Sequence, residues 1–135
     1  MSFLEKAEQI AVKGHQGQFR KDGVTPYVTH PQRVAKRCMG DDKAQAVAWL
    51  HDVLEDTDYT EEMLLEEGIP ADVVEAVKVL TKSDGQDYYE YLENVKNNVL
   101  ASKVKIQDML DNLSDTPSNK QIIKYSKGFL VLLGD

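Results

Sequence analysis

Residues 46–57 place an imidazole and three carboxylates in one short stretch, and such side chains commonly bind divalent metal ions. His51 and Asp52 are adjacent, and Glu55 and Asp56 follow about one helical turn later. At about 100° per residue, a continuous helix would put all four side chains in one arc, opposite the apolar residues. An acidic helix face is more often only solvated, so a metal site requires ligands from other segments.

Three other segments contain polar residues that could complete such a site, namely residues 14–23, 26–31 and 105–112. In the last of them, Lys105, Asp108 and Asn112 would share one helix face. Two imidazoles and two carboxylates suit one Mn²⁺ ion, with iron, cobalt and zinc as alternatives. His15 is interpreted as a structural loop residue. The predicted metal ligands are His30, His51, Asp52 and Asp108.

The elements that would position these residues are helical. Apolar spacing predicts an all-α bundle of about seven to eight helices around the metal site, since no stretch alternates with the period of a strand. The first helix would run from a capping box at Ser2 to Gly14, and residues 15–29 would form an ordered surface loop. His30-Pro31 would open the second helix, and Asp42 would cap a third helix that includes residues 46–57. Further helices are expected from Thr60, from Pro70, around residues 88–95, over roughly residues 100–113, and after Ser118.

Composition narrows the classes of protein. The 135 residues suggest a single domain, residues 1–135, and the net charge of −7 disfavours nucleic-acid binding. A small phosphorylated ligand remains compatible with that charge, because a local basic patch can act beside a metal. No apolar run is long enough for a membrane span, no signal peptide is visible and there is one cysteine, so a cytoplasmic location is expected. The apolar stretch 129–133 could pack on the first helix or on another subunit, which leaves a homo-oligomer open.

The order of these segments resembles the HD-domain metal-dependent phosphohydrolases, in which a His, then an adjacent His-Asp, then a distant Asp follow one another. More narrowly, five blocks resemble the hydrolase domain of RelA/SpoT-type alarmone enzymes. They are residues 17–20, 26–31, 51–57, 80–82 and 105–108. The resemblance implies an all-α fold and one Mn²⁺ bound by the four predicted ligands. It also implies hydrolysis of the 3′-pyrophosphate of the guanosine tetra- and pentaphosphates, (p)ppGpp, with release of pyrophosphate.

The same resemblance implies roles for five further residues. Glu55 and Asp56 match the acidic pair that positions and activates the attacking water. Arg20 and Lys21 match a loop that contacts the nucleotide, and Asn112 matches a residue near the ribose and phosphates. A Glu one turn from His51 suits a general base, and an Arg suits stacking on a purine or binding phosphate.

Two positions depart from the family pattern. Met109 stands where the family usually has Arg, and Asp111 stands where it usually has His, so a cation is lost and a carboxylate gained beside the site. The chain resembles the small stand-alone members of this family, some of which act on NADPH as a phosphatase. Two alternatives to (p)ppGpp hydrolysis therefore remain: a phosphatase for another phosphorylated nucleotide such as NADPH, and a catalytically impaired nucleotide-binding module.

Overall fold

The computed structural model describes residues 1–134, and within them the chain forms nine helices. The predicted all-α fold is confirmed, since the only β pairing in this part of the chain is one isolated bridge between Phe19 and Pro26. The helices are α1 (Phe3–Gly14), α2 (Thr29–Arg37), α3 (Asp42–Leu50), α4 (Val53–Asp56), α5 (Glu61–Glu66), α6 (Ala71–Leu80), α7 (Tyr88–Lys96), α8 (Val99–Leu113) and α9 (Asn119–Leu133). None of the helices in residues 1–134 has the length and apolar character needed to cross a membrane.

Helix α3 lies at the centre of the molecule. Ala44 and residues 46–50 are all buried. A helix at the surface of a globular protein would instead keep one face in solvent. Helices α1, α2, α6 and α8 pack around it. The C-terminal end of α3, where His51 follows, is thereby held in the interior between α2 and α8.

The N-termini of the helices carry the capping residues that such positions favour. The predicted capping box at Ser2 is present, with Glu5 as its partner, and Thr60 caps α5. The prediction that Asp42 caps the third helix is wrong. Asp41 occupies that position, since its carboxylate accepts a hydrogen bond of 3.0 Å from the backbone N–H of Ala44.

A break separates α3 from α4, so the prediction of one continuous helix through residues 46–57 is also wrong. The side chain of His51 contacts the carbonyl of Ala48 at 2.6 Å and occupies an acceptor at the end of α3. Asp52 then leaves the helical conformation, with φ −105° and ψ 0°, and the chain resumes a single turn of helix at Val53. This break accounts for nine helices where about seven to eight were expected.

Residues 15–28 form the expected ordered loop between α1 and α2. The chain reverses through a hydrogen bond from Arg20 N–H to the carbonyl of Thr25, and Gly23 has φ +73°. Asp22 fastens the turn because its carboxylate accepts hydrogen bonds from the backbone N–H groups of Val24 and Thr25 and from the Thr25 hydroxyl. The loop therefore has a defined path towards α2.

The last helix packs on the neighbours of the central bundle. Helix α9 lies against α7 and α8, and Leu132 and Tyr125 on it are buried. Gly128 allows the close approach, because a Cβ atom at this position would lie 2.7 Å from Cε of Met109. This packing brings Tyr125 beside α8, where the predicted site residues lie.

Candidate metal centre and adjoining pockets

The four predicted metal ligands meet at the centre of the fold. His30 comes from α2, His51 and Asp52 from the α3–α4 junction, and Asp108 from α8. Nε2 of His30 lies 2.7 Å from Oδ1 of Asp108, and Nε2 of His51 lies 3.4 Å from the same oxygen. Nε2 of His51 is also 3.1 Å from Oδ2 of Asp52. Three segments of the chain that lie at least 21 positions apart in the sequence thus point donor atoms at one small volume.

The histidine environments favour a cation in that volume. Nδ1 of His51 faces the carbonyl of Ala48, which can only accept, so this nitrogen carries the proton. The lone pair on Nε2 then faces the carboxylates of Asp52 and Asp108, and Nε2 is buried without a hydrogen-bond partner among residues 1–134. A lone pair aimed at two carboxylates is unfavourable unless a proton or a metal ion lies between them.

His30 shows the same arrangement on the opposite side. Its Nδ1 lies 2.7 Å from Oδ2 of Asp111 and its Nε2 lies 2.7 Å from Oδ1 of Asp108. Both ring nitrogens face acceptor oxygens, and a neutral imidazole can donate to only one of them. Two imidazole nitrogens and two carboxylates are a donor set that fits one divalent transition-metal ion.

The charges in this cluster are strongly coupled. Burial by itself lowers the pKa of His51, but the carboxylates of Asp52 and Asp108 outweigh that effect and hold its pKa well above the usual value. Burial raises the pKa of Asp108, but Lys105 and the two histidines outweigh that effect and hold it well below its usual range. His51 likewise lowers the pKa of Asp52 to about 2 despite burial. Both carboxylates are therefore ionised near neutral pH.

Three other side chains contact these carboxylates, and the sequence motifs assigned this role to none of them. The Tyr27 hydroxyl donates a 2.5 Å hydrogen bond to Oδ2 of Asp52, and Lys105 Nζ lies 3.0 Å from Oδ2 of Asp108. The Asn112 amide makes a longer contact of 3.4 Å with Oδ1 of Asp108. The expected common face of Lys105, Asp108 and Asn112 on α8 is thus present.

Glu55 and Asp56 lie beside Asp52, as the sequence motif requires. One carboxylate oxygen of each of these three residues lies within 4.8 Å of the others, although Glu55 and Asp56 are exposed to solvent. Partial burial and the charge of Asp52 raise the pKa of both Glu55 and Asp56. A carboxylate with a raised pKa is a better proton acceptor from water, which is the property that a general base needs.

Two pockets adjoin the cluster and share Asp52, Lys105 and Asp108 as part of their walls. The first has a volume of about 490 Å³ and is lined by the predicted substrate-binding residues Arg20, Lys21 and Asn112, together with Tyr27 and Tyr125. The second has a volume of about 380 Å³ and is lined by Glu55, Lys82, Tyr88, Tyr91 and Lys124. A ligand that crosses the cluster would therefore contact basic side chains on both sides.

The loop residues predicted to contact a nucleotide lie at the first pocket. Arg20 is largely buried, and one of its terminal nitrogens lies 3.1 Å from a carboxylate oxygen of Asp115. Its other terminal nitrogen, Nη1, is buried and has no hydrogen-bond partner within the described residues. Lys21 is exposed at the rim of the pocket. Arg20 is thus held in place while part of its guanidinium remains available.

The second pocket concentrates positive charge. Burial together with the nearby charges of Lys105, Lys82 and Lys120 lowers the pKa of Lys124, whose ammonium group lies 4.4 Å from the ring centroid of Tyr88. The Tyr88 hydroxyl is buried and, in the described part of the chain, has no hydrogen-bond partner. Converging ammonium groups beside a free hydroxyl favour an anionic ligand.

His15 has the structural place that the sequence suggested. It is buried at the end of α1, and its Nδ1 lies 2.8 Å from Oε1 of Gln18. The Gln18 amide in turn donates a 2.8 Å hydrogen bond to the backbone carbonyl of Asp56. His15 and Gln18 thus attach the loop to the end of α4 rather than to the ligand cluster.

The two departures from the family pattern lie behind the pockets. Met109 is fully buried and packs against α9. Asp111 is fully buried behind His30 and does not line either pocket, so its carboxylate is not added to the pocket wall. Sequence reasoning missed this contact with His30, although the position of Asp111 three residues after Asp108 in a helix was a signal for it.

Comparison with known proteins assigns the fold to a family. The family model described as HD domain matches residues 7–116, and all four predicted ligands fall within that range. The chain belongs to the HD domain family. A solved structure described as "A metazoan ortholog of SpoT hydrolyzes ppGpp and plays a role in starvation responses" superposes with a TM-score of 0.78 and 28% identity, over 98% of this chain and 84% of that chain.

Among curated relatives of this HD domain, the guanosine-3′,5′-bis(diphosphate) 3′-pyrophosphohydrolase of Haemophilus influenzae is 39% identical over 120 residues. That alignment covers 84% of this chain and 18% of the relative. The guanosine-3′,5′-bis(diphosphate) 3′-pyrophosphohydrolase MESH1 of Drosophila melanogaster is 35% identical over 128 residues, which cover 87% of this chain and 70% of MESH1. The resemblance to alarmone hydrolase domains inferred from the sequence is confirmed, although the chain spans under a fifth of the Haemophilus protein's length.

Proposed function

We propose that this HD domain is a metal-dependent phosphohydrolase that removes the 3′-pyrophosphate of (p)ppGpp and releases pyrophosphate. The observation that carries the proposal is the convergence of His30, His51, Asp52 and Asp108 between two pockets that both contain basic residues. The names of the Haemophilus and Drosophila relatives support the choice of a guanosine 3′-pyrophosphate as substrate.

The residues proposed to hold one divalent ion, preferentially Mn²⁺, are His30, His51, Asp52 and Asp108. When bound, such an ion would neutralise charge on the phosphoryl oxygens and make hydroxide accessible near neutral pH. Tyr27 and Lys105 would hold the two carboxylates in place through the hydrogen bond and ion pair described above. This outer set of contacts restricts the carboxylates before the ion enters, which reduces the ordering cost of binding.

Glu55 is proposed as the general base, and Asp56 as the residue that helps to position the attacking water. Glu55 lies next to Asp52 and lines the second pocket, so its carboxylate can accept a proton from water at the phosphorus atom under attack. Its raised pKa brings it closer to the range in which a proton acceptor works at neutral pH. Asp56 lies within reach of Glu55 and keeps negative charge on this side of the cluster.

The substrate is proposed to span the cluster. The nucleoside would occupy the first pocket, where Arg20 can stack on a purine or bind phosphate and Asn112 can contact the ribose. The departing pyrophosphate would occupy the second pocket, where Lys82, Lys105 and Lys124 neutralise it. A substrate with phosphate groups on both the 5′ and 3′ sides would contact the basic residues of both pockets.

One assay tests the function. The purified protein is loaded with Mn²⁺ and offered ppGpp, NADPH and nucleoside monophosphates in parallel, and the released product is identified as pyrophosphate or orthophosphate. We expect pyrophosphate from ppGpp. Orthophosphate from NADPH would instead identify a phosphatase, and binding of nucleotide with no turnover of any substrate would identify a binding module.

The ligand assignment is tested in the same preparation. Asp52→Ala should abolish Mn²⁺ binding and turnover together, because it removes a ligand and leaves His51 without its partner. Glu62→Gln, on the exposed face of α5, is the matched control and should bind metal and turn over substrate as the unaltered protein does. Full activity of Asp52→Ala would refute the proposed metal site.

A further inference from the structure

Asp111 is a fully buried carboxylate in contact with a proposed metal ligand. It lies on α8, one turn after Asp108, and its Oδ2 is 2.7 Å from Nδ1 of His30. A buried ionised carboxylate is costly unless its charge is compensated and its oxygens are hydrogen-bonded. The charge of Asp111 must therefore be compensated by neighbouring groups.

The compensating charges come from the helix that carries His30. Nε of Arg33 lies 2.9 Å from Oδ1 of Asp111, and Nε of Arg37 lies 3.8 Å from the same oxygen. The Arg33 side chain also donates a 2.9 Å hydrogen bond to the Ser114 hydroxyl, which fixes its position over α8. Asp111 is thus held between an imidazole and two guanidinium groups.

With a cation in the cluster, this arrangement favours the proton of His30 on Nδ1. Both ring nitrogens face a carboxylate oxygen at 2.7 Å, but a cation in the cluster would take the lone pair of Nε2, which leaves Nδ1 to donate its proton to Asp111. The neutral ring then has its lone pair on Nε2, the nitrogen that faces Asp108 and the volume shared with His51 and Asp52. A second partner that fixes the tautomer and ring orientation of a ligating histidine commonly raises its basicity and its affinity for the metal.

We propose that Asp111 is a positioning residue that holds His30 in the Nδ1–H tautomer and directs Nε2 at the bound cation, with Arg33 holding Asp111 in place. The inference rests on the proposed metal site but not on the identity of the substrate. The proposal gives a function to the acidic residue at this position. Its carboxylate acts on the metal site through His30 and does not contact the substrate.

The first measurement is Mn²⁺ affinity by calorimetry in the 135-residue protein. Asp111→Leu removes the acceptor with little change in size and should weaken Mn²⁺ binding by roughly 10- to 100-fold. Asp111→Asn keeps an acceptor oxygen and should restore part of the loss. Arg33→Met should weaken binding less than Asp111→Leu does, whereas Lys36→Met, on the exposed surface of α2, should have no effect.

The second measurement reports the tautomer directly. The chain has three histidines, so ¹⁵N-histidine labelling gives three ring systems to assign in the Zn²⁺-loaded protein. Nδ1 of His30 should carry a slowly exchanging proton in the unaltered protein and in Asp111→Asn, and this signal should be lost or exchange rapidly in Asp111→Leu. Thermal melts of each variant establish that binding is measured on folded protein, and Asp111→Asn serves if Asp111→Leu does not fold.

The outcomes separate the two proposals. Mn²⁺ affinity and a His30 signal in Asp111→Leu equal to those of the unaltered protein would overturn the role of Asp111 alone. If Asp111→Leu folds poorly, Asp111→Asn takes its place. A freely exchanging Nδ1 proton of His30 together with unchanged Mn²⁺ affinity in Asp111→Asn would then overturn the role of Asp111. Failure of the unaltered protein to bind Mn²⁺ or Zn²⁺ would overturn the metal site and this inference together. Metal binding without ppGpp turnover would overturn only the proposed substrate.

Discussion

At the scale of single residues, the buried charges of the cluster constrain one another. His30 and His51 each have one nitrogen committed to an acceptor outside the cluster, Asp111 for the first and the Ala48 carbonyl for the second. Their other nitrogens face Asp108, which is therefore surrounded by two imidazoles and the ammonium group of Lys105. Without a cation the imidazoles must take up protons to satisfy these carboxylates, so entry of the proposed metal ion would release protons.

Glu55 permits a prediction that separates catalysis from metal binding. Glu55→Gln keeps the size of the side chain but removes the proton acceptor, so turnover of ppGpp should fall by roughly 10²- to 10⁴-fold. Mn²⁺ affinity measured by calorimetry should stay within a few-fold, because Glu55 is outside the predicted ligand set. A comparable loss of metal affinity would show that Glu55 is itself a ligand.

Asp22 permits a prediction about pH. Hydrogen bonds from the Thr25 hydroxyl and from the backbone of Thr25 and Val24 lower its pKa from 3.8 to about 2. Because the folded value is the lower one, ionised Asp22 stabilises the folded loop above about pH 4, and that contribution is lost as the pH falls towards 2. The melting temperature of Asp22→Asn should therefore lie below that of the unaltered protein at pH 6, and the difference should shrink between pH 4 and pH 2.

Asp84→Asn is the control for that titration, since Asp84 lies in an exposed turn and makes no side-chain hydrogen bond within the described residues. It should melt as the unaltered protein does at pH 6. A gap between Asp22→Asn and the unaltered protein that stayed constant from pH 6 to pH 2 would contradict the ionised capping role of Asp22.

At the scale of elements, the break between α3 and α4 brings the residues that follow the central helix to the pockets. Residues 46–50 of α3 are all buried, so a polar side chain among them would have no access to a ligand. The chain leaves the helix after Leu50, and this change of direction places His51 at the buried end and Asp52 at the edge of both pockets. The following turn, α4, then carries Glu55 and Asp56 to the solvent side.

The contact of α9 with α8 supports a prediction about packing. Gly128→Val would place branched side-chain atoms where Cε of Met109 and Leu92 already lie, and overpacking of this kind costs about 1–3 kcal/mol. Chemical denaturation should show this loss of stability. Binding of pyrophosphate should also weaken, because Lys124 and Tyr125 on the displaced α9 line the two pockets.

Ser126→Val is the matched variant, since Ser126 is on the exposed side of α9 and introduces the same β-branched residue into the same helix. It should cost less than about 1 kcal/mol, the range of helix propensities. Equal destabilisation by the two variants would mean that helix propensity, and not the contact with α8, determines the effect.

At the scale of the whole molecule, one small volume joins segments that are distant in the chain. Helix α2, the α3–α4 junction and α8 each contribute a proposed ligand, and α3 packs against both α2 and α8. An ion bound there would connect these elements, so it should stabilise the folded state because the unfolded chain does not preserve the site.

Metal removal tests that coupling. At an Mn²⁺ concentration about one hundred times the dissociation constant, binding should add about 2.7 kcal/mol and raise the melting temperature by roughly 10 °C over the chelated protein. Asp52→Ala should show the same melting temperature with Mn²⁺ as with chelator. An unchanged melting temperature in the unaltered protein, with metal binding shown independently, would contradict a site that bridges the three segments.

Residue types and their order were enough to define the family, the helical class and the four residues that meet at the centre. His30, His51, Asp52 and Asp108 could be selected from the motifs because metal chemistry restricts the donor types, and helical periodicity located the elements that carry them. The capping box at Ser2 is likewise local, so nearby residues suffice to predict it.

Tertiary structure decided the features that depend on distant neighbours. A helical wheel treats residues 46–57 as one helix, whereas the contacts of His51 with Ala48 and of Tyr27 with Asp52 accompany a change of direction at that point. Asp111 looked like a carboxylate added to the pocket, but α2 lies against α8 and places His30 and Arg33 over it. Whether a buried charge disturbs a site or orients it depends on which groups face it in space, and linear spacing does not contain that information.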